Sequence, residues 1–324
     1  MVENFVSKVN NLAKAGIPFL FVIDFDLQKP FVFPLEQLPN DILFSTPGYP
    51  DHQDVIQLPD TFDFVSFPID FDTYSQAFGK IIKEIQAGNS YLLNLTFGTR
   101  IVTSLSLEEI YLLSKAKYKL LFKNQFVVFS PETFIEIRDG IISSCPMKGT
   151  IDASIPNAAE ILLADEKETA EHHTIVDLIR NDLAMVAEDV YVEKFRYLDL
   201  LHTHKGDLLQ MSSRISGKMP ENFHENLGEI LVKLLPAGSI TGAPKKKTVE
   251  IIKRVENYQR GYYTGVFGVF DGKNLDSAVM IRFIENDNGR LWFKSGGGIT
   301  SMSQAEKEYN ELIQKIYVPV PRNH

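Results

Sequence analysis

Cysteine and tryptophan each occur once in the 324 residues, at Cys145 and Trp292. A single cysteine excludes an internal disulfide framework and any zinc or iron–sulfur site built from several thiolates. It fits a reducing, cytoplasmic setting. Basic charge is also in deficit: 33 Lys+Arg against 42 Asp+Glu leave a formal net charge of −9. A nucleic-acid scaffold would show the opposite balance, with Lys and Arg gathered on one face. No apolar run approaches the roughly 18–20 residues that span a bilayer. The N-terminal run Ile17–Ile23 is short, contains Pro18 and stops at Asp24, so neither a signal peptide nor a membrane anchor is expected. What is present, 44% apolar and 23% charged residues, is the composition of an ordinary globular protein acting on small molecules or other proteins.

Hydrophobic spacing mixes strands and helices. Phe19–Ile23 predicts a buried strand, and the Pro-rich passage from Pro30 to Pro68 predicts loops and short strands. Phe78, Ile81, Ile82 and Ile85 recur at helical spacing within a helix over 73–86. Ser90–Phe97 follows as a strand, and Ser106 with Glu109 forms a capping box opening another helix. Tyr118–Met147 reads as three strands with a hairpin turn at Asp139-Gly140. Long helical regions cover Ala158–Val186 and Asn222–Leu235. A helix starts near Pro244, strands follow at Tyr262–Phe270, Ser277–Glu285 and Arg290–Lys294, and a last helix opens at Ser303 with Glu306 completing a capping box. Consecutive hairpins between helices argue for an α+β fold, large antiparallel sheets packed together and covered by helices. The chain reads as one domain over 1–324, with its core at 73–317 and a reduced N-terminal part of about 70 residues.

Several constellations could carry chemistry. Glu168 and Glu171 lie three apart on one predicted helix, Glu308 and Glu311 on another, so each pair shares a helix face. Carboxylates from two such helices suit Mg²⁺; from spacing alone, two solvated faces with acids near helix N-termini hold a slight lead. Gly238-Ser-Ile-Thr-Gly-Ala-Pro-Lys245 offers hydroxyls at Ser239 and Thr241 before a helix, a place for a carboxylate or phosphate or simply a tight turn. It lacks the Walker A spacing. Gly296-Gly297-Gly298 reads as a close-approach loop rather than a dinucleotide fingerprint. Lys148, at the end of a strand in an apolar setting, is a nucleophile or a surface lysine. Glu132 in Ser130-Pro131-Glu132 is a general acid or an exposed turn residue. Asp177, Arg180 and Asn181 are spaced for internal salt-bridging. His172-His173 and His202-Thr-His204 read as helix-surface and loop residues rather than metal ligands. Cys145 reads as a packed small residue.

Nine segments in one order, AGNSYLLNLTF, SPETFIEI, PMKGT, KETAEHHTIVDLIRNDL, GSITGAPKKKTVEII, RGYYTGVFG, AVMIRF, GGGIT and EYNELIQK, resemble the chorismate-utilising enzymes: anthranilate, isochorismate, salicylate and aminodeoxychorismate synthases. The resemblance runs from about Thr73 to Tyr317. It is closest to the component I branch of aminodeoxychorismate synthases, where the motif Pro-x-Lys-Gly-Thr carries the lysine found here at 148. The resemblance implies that Lys148 attacks ring carbon C2 of chorismate while the C4 hydroxyl leaves, with Glu132 as general acid and then base. Ammonia then adds at C4 and expels the lysine, giving 4-amino-4-deoxychorismate. It implies Mg²⁺ held by Glu168, Glu171, Glu308 and Glu311 against the ring carboxylate, with Gly149 and Thr150 adding polar groups. Tyr263, Arg282, Gly298 and Lys315 would hold the enolpyruvyl carboxylate, and Ser239, Thr241 and Gly297 complete the candidate substrate contacts. Lys245 is expected near Lys148.

Departures from the family pattern narrow the reaction. Leu92 stands where aminodeoxychorismate and anthranilate synthases often have Gln and isochorismate synthases a water-activating Lys, which weighs against water addition. Gln210 replaces a common His, which disfavours pyruvate elimination. The N-terminal part that holds a tryptophan in relatives is largely absent, so regulation by tryptophan is not expected. No Gly-x-Cys-x-Gly elbow occurs, so ammonia is expected from a separate glutamine amidotransferase subunit. The rival readings are an anthranilate synthase component I and a catalytically silent chorismate-binding or regulatory protein.

Overall fold

The computed structural model describes residues 1–50, 62–203 and 206–319. Its frame is two antiparallel sheets. The first has nine strands, in the order Met147–Asp152, Gly206–Lys218, Ile141–Ser144, Thr133–Arg138, Leu275–Val279, Val266–Phe270, Phe19–Ile23 and Phe31–Pro34, with Glu188–Thr203 pairing onto Gly206–Lys218. The second has eight: Gly242–Ala243, Leu92–Thr103, Arg290–Ile299, Phe283–Asp287, Phe126–Ser130, Tyr118–Phe122 and Ile42–Ser45, with Phe64–Phe67 pairing onto the Arg100–Thr103 end of Leu92–Thr103.

The strand Phe19–Ile23 shows why both faces must be apolar. Side chains alternate across a strand. Leu20 and Val22 pack with Tyr118, Leu120, Phe126 and Val128 between the sheets. Phe19, Phe21 and Ile23 face a second core with Phe5, Val9, Ile175, Ile179 and Leu231, supplied by helices. A third core gathers Phe78, Ile81, Ile252 and Leu312 against Leu93 and Leu95. It joins the helices Phe71–Gln86, Lys245–Val255 and Ala305–Gln314 to the second sheet. Among the described residues, no helix is long and apolar enough to cross a membrane.

The α+β architecture and the Ser106–Glu109 capping box are as the sequence implies. Other elements differ. The run Ser277–Glu285 is two strands, Leu275–Val279 in one sheet and Phe283–Asp287 in the other. Arg282 makes the passage with a left-handed φ of 54°, and because the run is apolar on both sides its spacing does not mark the break. Tyr118–Met147 holds four strands before Met147, with an extra turn at Asn124, φ 62°. The helical stretch from Ala158 is broken at Asp165, which caps the helix Glu166–Ala184 by accepting from the Glu168 N–H at 2.8 Å. Pro244 stands just before the helix Lys245–Val255 rather than inside it. The last helix starts from Gln304 without a side-chain cap, since Ser303 instead accepts from the Thr300 N–H at 3.2 Å. The helix Val2–Lys14 and the strands Glu188–Thr203, Gly206–Lys218 and Gly242–Ala243 are among the elements that carry no expectation from the sequence. In the first of these strands three register shifts interrupt the two-residue period.

Candidate active site

The triple glycine is not a loop. It forms the end of the strand Arg290–Ile299, with Gly296, Gly297 and Gly298 opposite Thr96, Leu95 and Asn94. A β-carbon at Gly296 would stand 2.3 Å from the Leu95 carbonyl oxygen, so glycine is required there for the two strands to pair. At Gly298 it would stand 3.2 Å from the Lys148 amine, 3.0 Å from Leu92 Cδ1 and 3.6 Å from Glu171 Oε2. At Gly297 it would lie 3.7 Å from Glu311 Oε1 and 3.8 Å from both Glu308 Oε2 and the Lys315 amine. Two adjacent glycines therefore form a bare backbone floor, with two lysines and three glutamates around it.

Lys148 reaches that floor from the edge strand Met147–Asp152 of the other sheet. Its amine pairs with Glu171 Oε2 at 3.6 Å. The register against Gly206–Lys218 slips between Lys148 and Thr150. Gly149, at φ 74°, occupies the slip, where a β-carbon would come within 3.1 Å of Glu168 Oε2. Thr150 is exposed. Glu168 and the buried Glu171 lie on the helix Glu166–Ala184; the buried Glu308 and the exposed Glu311 lie on Ala305–Gln314.

Lys315 follows that last helix. Its amine pairs with Glu311 Oε1 at 2.6 Å and donates to the Gly296 carbonyl at 2.9 Å. Burial pushes its pKa down, and Glu311 opposes the shift. Arg282 Nη1 donates to the Lys315 carbonyl at 2.9 Å. Tyr263 is buried, its hydroxyl pKa raised by burial.

Glu132 lies within electrostatic reach of both lysines. Burial raises its pKa, opposed by a hydrogen bond from the Ser239 hydroxyl and by the Lys148 and Lys315 ammonium groups. Ser239 thus holds Glu132 directly. Thr241, fully buried, donates to the Ala237 carbonyl at 3.0 Å and turns its hydroxyl into the protein. Lys245 pairs with Asp182 at 2.7 Å and also donates to the Leu234 carbonyl.

The structure corrects one surface assignment. His172 is completely buried, with Nε2 2.7 Å from the Ser213 hydroxyl and a pKa lowered to about 4 by burial, Arg196, His173 and Lys148. His173 is exposed, and the Asp177, Arg180 and Asn181 cluster is bonded within its own helix. Cys145 is half-buried, its thiol pKa raised by burial, which disfavours the reactive thiolate. His204 and the side chain of His202 lie outside the described residues. Sequence reasoning gave no role to Glu256 and Arg260, a fully buried pair behind the floor, because they lie past the end of the helix Lys245–Val255, where no regular period marks them.

The four candidate glutamates supply the oxygen donors that Mg²⁺ takes, and three of them line the glycine floor. Among the described residues, no three acidic, His or Cys side chains are gathered closely enough to hold a metal ion. Lysines stand against two of the acids instead. The donor chemistry fits; a cation would have to draw Glu171 and Glu311 away from Lys148 and Lys315. A separate groove between the helices Val2–Lys14 and Leu227–Leu234 lies apart from these residues. Its Asn10, Lys14, Glu225 and Glu229 are bonded to one another or to nearby backbone.

Residues 40–321 match the family of chorismate binding enzymes. The chain belongs to that family. It is 49% identical over 319 residues to an uncharacterised PabA-like protein of Haemophilus influenzae, covering 98% of this chain and 97% of that protein. It is 30% identical over 274 residues to aminodeoxychorismate synthase component 1 of Bacillus subtilis, covering 80% of this chain and 57% of that one. The fold matches anthranilate synthase component I from Streptococcus pneumoniae with a TM-score of 0.70 at 21% identity, over 92% of this chain and 79% of that one.

Proposed function

We propose that this chain aminates chorismate, as the component I activity of an aminodeoxychorismate synthase. The observation that supports this reading best is the convergence of the Lys148 amine on Gly298, with Glu132 close enough to feel both Lys148 and Lys315. A nucleophile and an acid of raised pKa thus serve one recess.

Neutral Lys148 attacks ring carbon C2. The two ring double bonds shift, and the C4 hydroxyl departs as water on the proton supplied by Glu132. Ammonia then adds at C4, the double bonds shift back, and the lysine leaves as a neutral amine. The new ammonium group returns a proton to the Glu132 carboxylate, so the acid is regenerated and the net change is chorismate plus ammonia to 4-amino-4-deoxychorismate plus water. Glu168, Glu171, Glu308 and Glu311 are the residues that would hold Mg²⁺, which when bound neutralises the ring carboxylate. In this reading Lys315 and Arg282 hold the enolpyruvyl carboxylate, Arg282 with a fork suited to it. Leu92, 2% exposed beside the Lys148 amine, presents only methyl groups and no base that could activate water. Ammonia comes from a separate glutamine amidotransferase subunit.

The test is product identification by mass spectrometry after incubation with chorismate, ammonium and Mg²⁺. The expected product retains the enolpyruvyl group and carries one amine. Isochorismate, or fluorescent anthranilate with released pyruvate, would replace this reading. Chorismate left unchanged, even with an amidotransferase partner, would favour a silent binding protein.

A further inference from the structure

Behind the glycine floor lies an ion pair whose side chains hydrogen-bond to each other, to Thr96, to Thr264 and to backbone carbonyls, while the Arg260 carbonyl accepts from the Tyr263 N–H at 3.1 Å. Glu256 and Arg260 are each 2% exposed. Arg260 grips the carboxylate in bidentate fashion, Nε to Oε2 at 2.9 Å and Nη2 to Oε1 at 2.7 Å. Its guanidinium also donates to two backbone carbonyls, Nη1 to Ile240 at 3.0 Å and Nη2 to Asn94 at 2.9 Å. Those carbonyls belong to the two segments that matter. Ile240 follows Ser239, whose hydroxyl holds Glu132. Asn94 stands directly opposite Gly298, the residue against which the Lys148 amine rests.

The pair is itself tightly held. Glu256 Oε1 accepts from the Thr96 N–H at 2.9 Å and from its hydroxyl at 2.8 Å, and buried Lys294 donates to the Arg260 carbonyl at 3.0 Å. A buried ion pair is weak evidence for stability, because apolar residues of equal volume often serve the core as well or better. What apolar residues cannot do is hold two separate backbone segments in fixed register to one planar group. Lysine cannot do it either, lacking the fork.

We propose that Arg260, oriented by Glu256, is a positioning residue that fixes Glu132 relative to the Lys148–Gly298 floor. The proposal rests on the chorismate amination reading of the site. The charged groups facing Glu132 are Lys148 and Lys315, and Ser239 is its hydrogen-bond donor. Loosening the Ile240 carbonyl lets Ser239 drift, removing a hydrogen bond that lowers the Glu132 pKa, while the floor shifts under Lys148.

The test compares Arg260→Lys and Glu256→Gln with Val9→Ala, a buried substitution in the N-terminal helix away from the site. Turnover of chorismate by the wild-type protein is measured first, and its absence would count against the amination reading itself. Given turnover, Arg260→Lys is expected to lower kcat by about 10²-fold through misplacement, with KM for chorismate nearly unchanged. The limb of the pH profile belonging to Glu132 should move to higher pH. Val9→Ala should lower Tm and leave profile and kcat in place. An Arg260→Lys enzyme with an unmoved profile, and no greater loss than its folded fraction explains, would overturn positioning alone. If Arg260→Lys does not fold, Glu256→Gln decides on the same two readouts; if neither folds, the pair serves stability and the proposal fails.

Discussion

The Lys148 amine stands 3.6 Å from Glu171 Oε2, a strand-edge lysine held by a glutamate that is only 5% exposed. The pair keeps the amine directed at Gly298, and Lys148 compensates the charge of a buried carboxylate. Lys148→Ala should lower amination by at least about 10³-fold, because the covalent nucleophile is gone. It should also lower stability by about 1–3 kcal/mol, because the buried Glu171 loses its Lys148 partner. Lys148→Arg should recover the stability and not the activity. Urea unfolding and product mass spectrometry on both variants check this, and turnover surviving in Lys148→Ala would remove Lys148 from the nucleophile's role.

Three adjacent glycines should respond to alanine in three different ways. Gly296→Ala drives a β-carbon into the Leu95 carbonyl, so the strands must part, at about 1–3 kcal/mol or more. Gly298→Ala meets two side chains, Leu92 and Lys148, which can shift; the protein should fold and lose about 10²-fold in kcat from a displaced amine. Gly297→Ala makes only ordinary contacts, so its Tm should stay near that of the wild type. Melting curves and kcat for the three alanines separate the cases. Equal loss of stability at all three positions would refute a floor shaped at Gly298 for the amine.

Regular periodicity made much of this fold readable. The helical recurrence through Phe78 and Ile85, the Asp139-Gly140 turn and the Ser106 cap are local, and each survives into the structure. What local pattern could not express was which sheet a strand joins. Leu275–Val279 and Phe283–Asp287 look continuous until Arg282 adopts its left-handed turn. The triple glycine looks like a loop because glycine is poor in strands; only the partner backbone at Leu95 explains it. The candidate site was legible as residue types, whereas the meeting of Lys148 with Gly298 depends on packing one sheet's edge strand against the other sheet. His172 was misplaced for a related reason: a polar residue in a polar helical stretch is buried by the strand that carries Ser213.

Glu132 is held as an acid by burial, at a cost in stability near neutral pH. Burial raises its pKa above the ordinary 4.5, so between that value and the folded value the native state binds the proton more tightly than the unfolded chain. Stability therefore falls as pH rises through this window and remains lower above it. Glu132→Gln has no such proton to lose. It should melt at a higher temperature than the wild type near neutral pH, with the gap closing as pH approaches 4.5. Activity should drop by about 10²–10⁴-fold, the usual contribution of a general acid. Paired melts across pH, with rates at each point, test both halves; a Tm gap that widens on acidification would contradict the assigned direction.

Mg²⁺ binding should be visible without any turnover. The acids that would hold the ion face lysines, Glu171 with Lys148 and Glu311 with Lys315, so the cation must compete with two ion pairs and bind weakly alone. A chorismate carboxylate offers further ligands to the ion and an anion to the released lysines. Mg²⁺ and chorismate together should therefore raise Tm by more than the sum of their separate effects. A ligand at 100 times its Kd stabilises by about 2.7 kcal/mol, a readily measured shift. Glu308→Gln, altering a buried acid beside Gly297, should remove the Mg²⁺ increment while leaving the fold intact. Excess EDTA should reverse the increment in the wild type and stop turnover. Melting curves that ignore Mg²⁺ with chorismate present, together with full turnover in EDTA, would show that these glutamates serve the lysines alone.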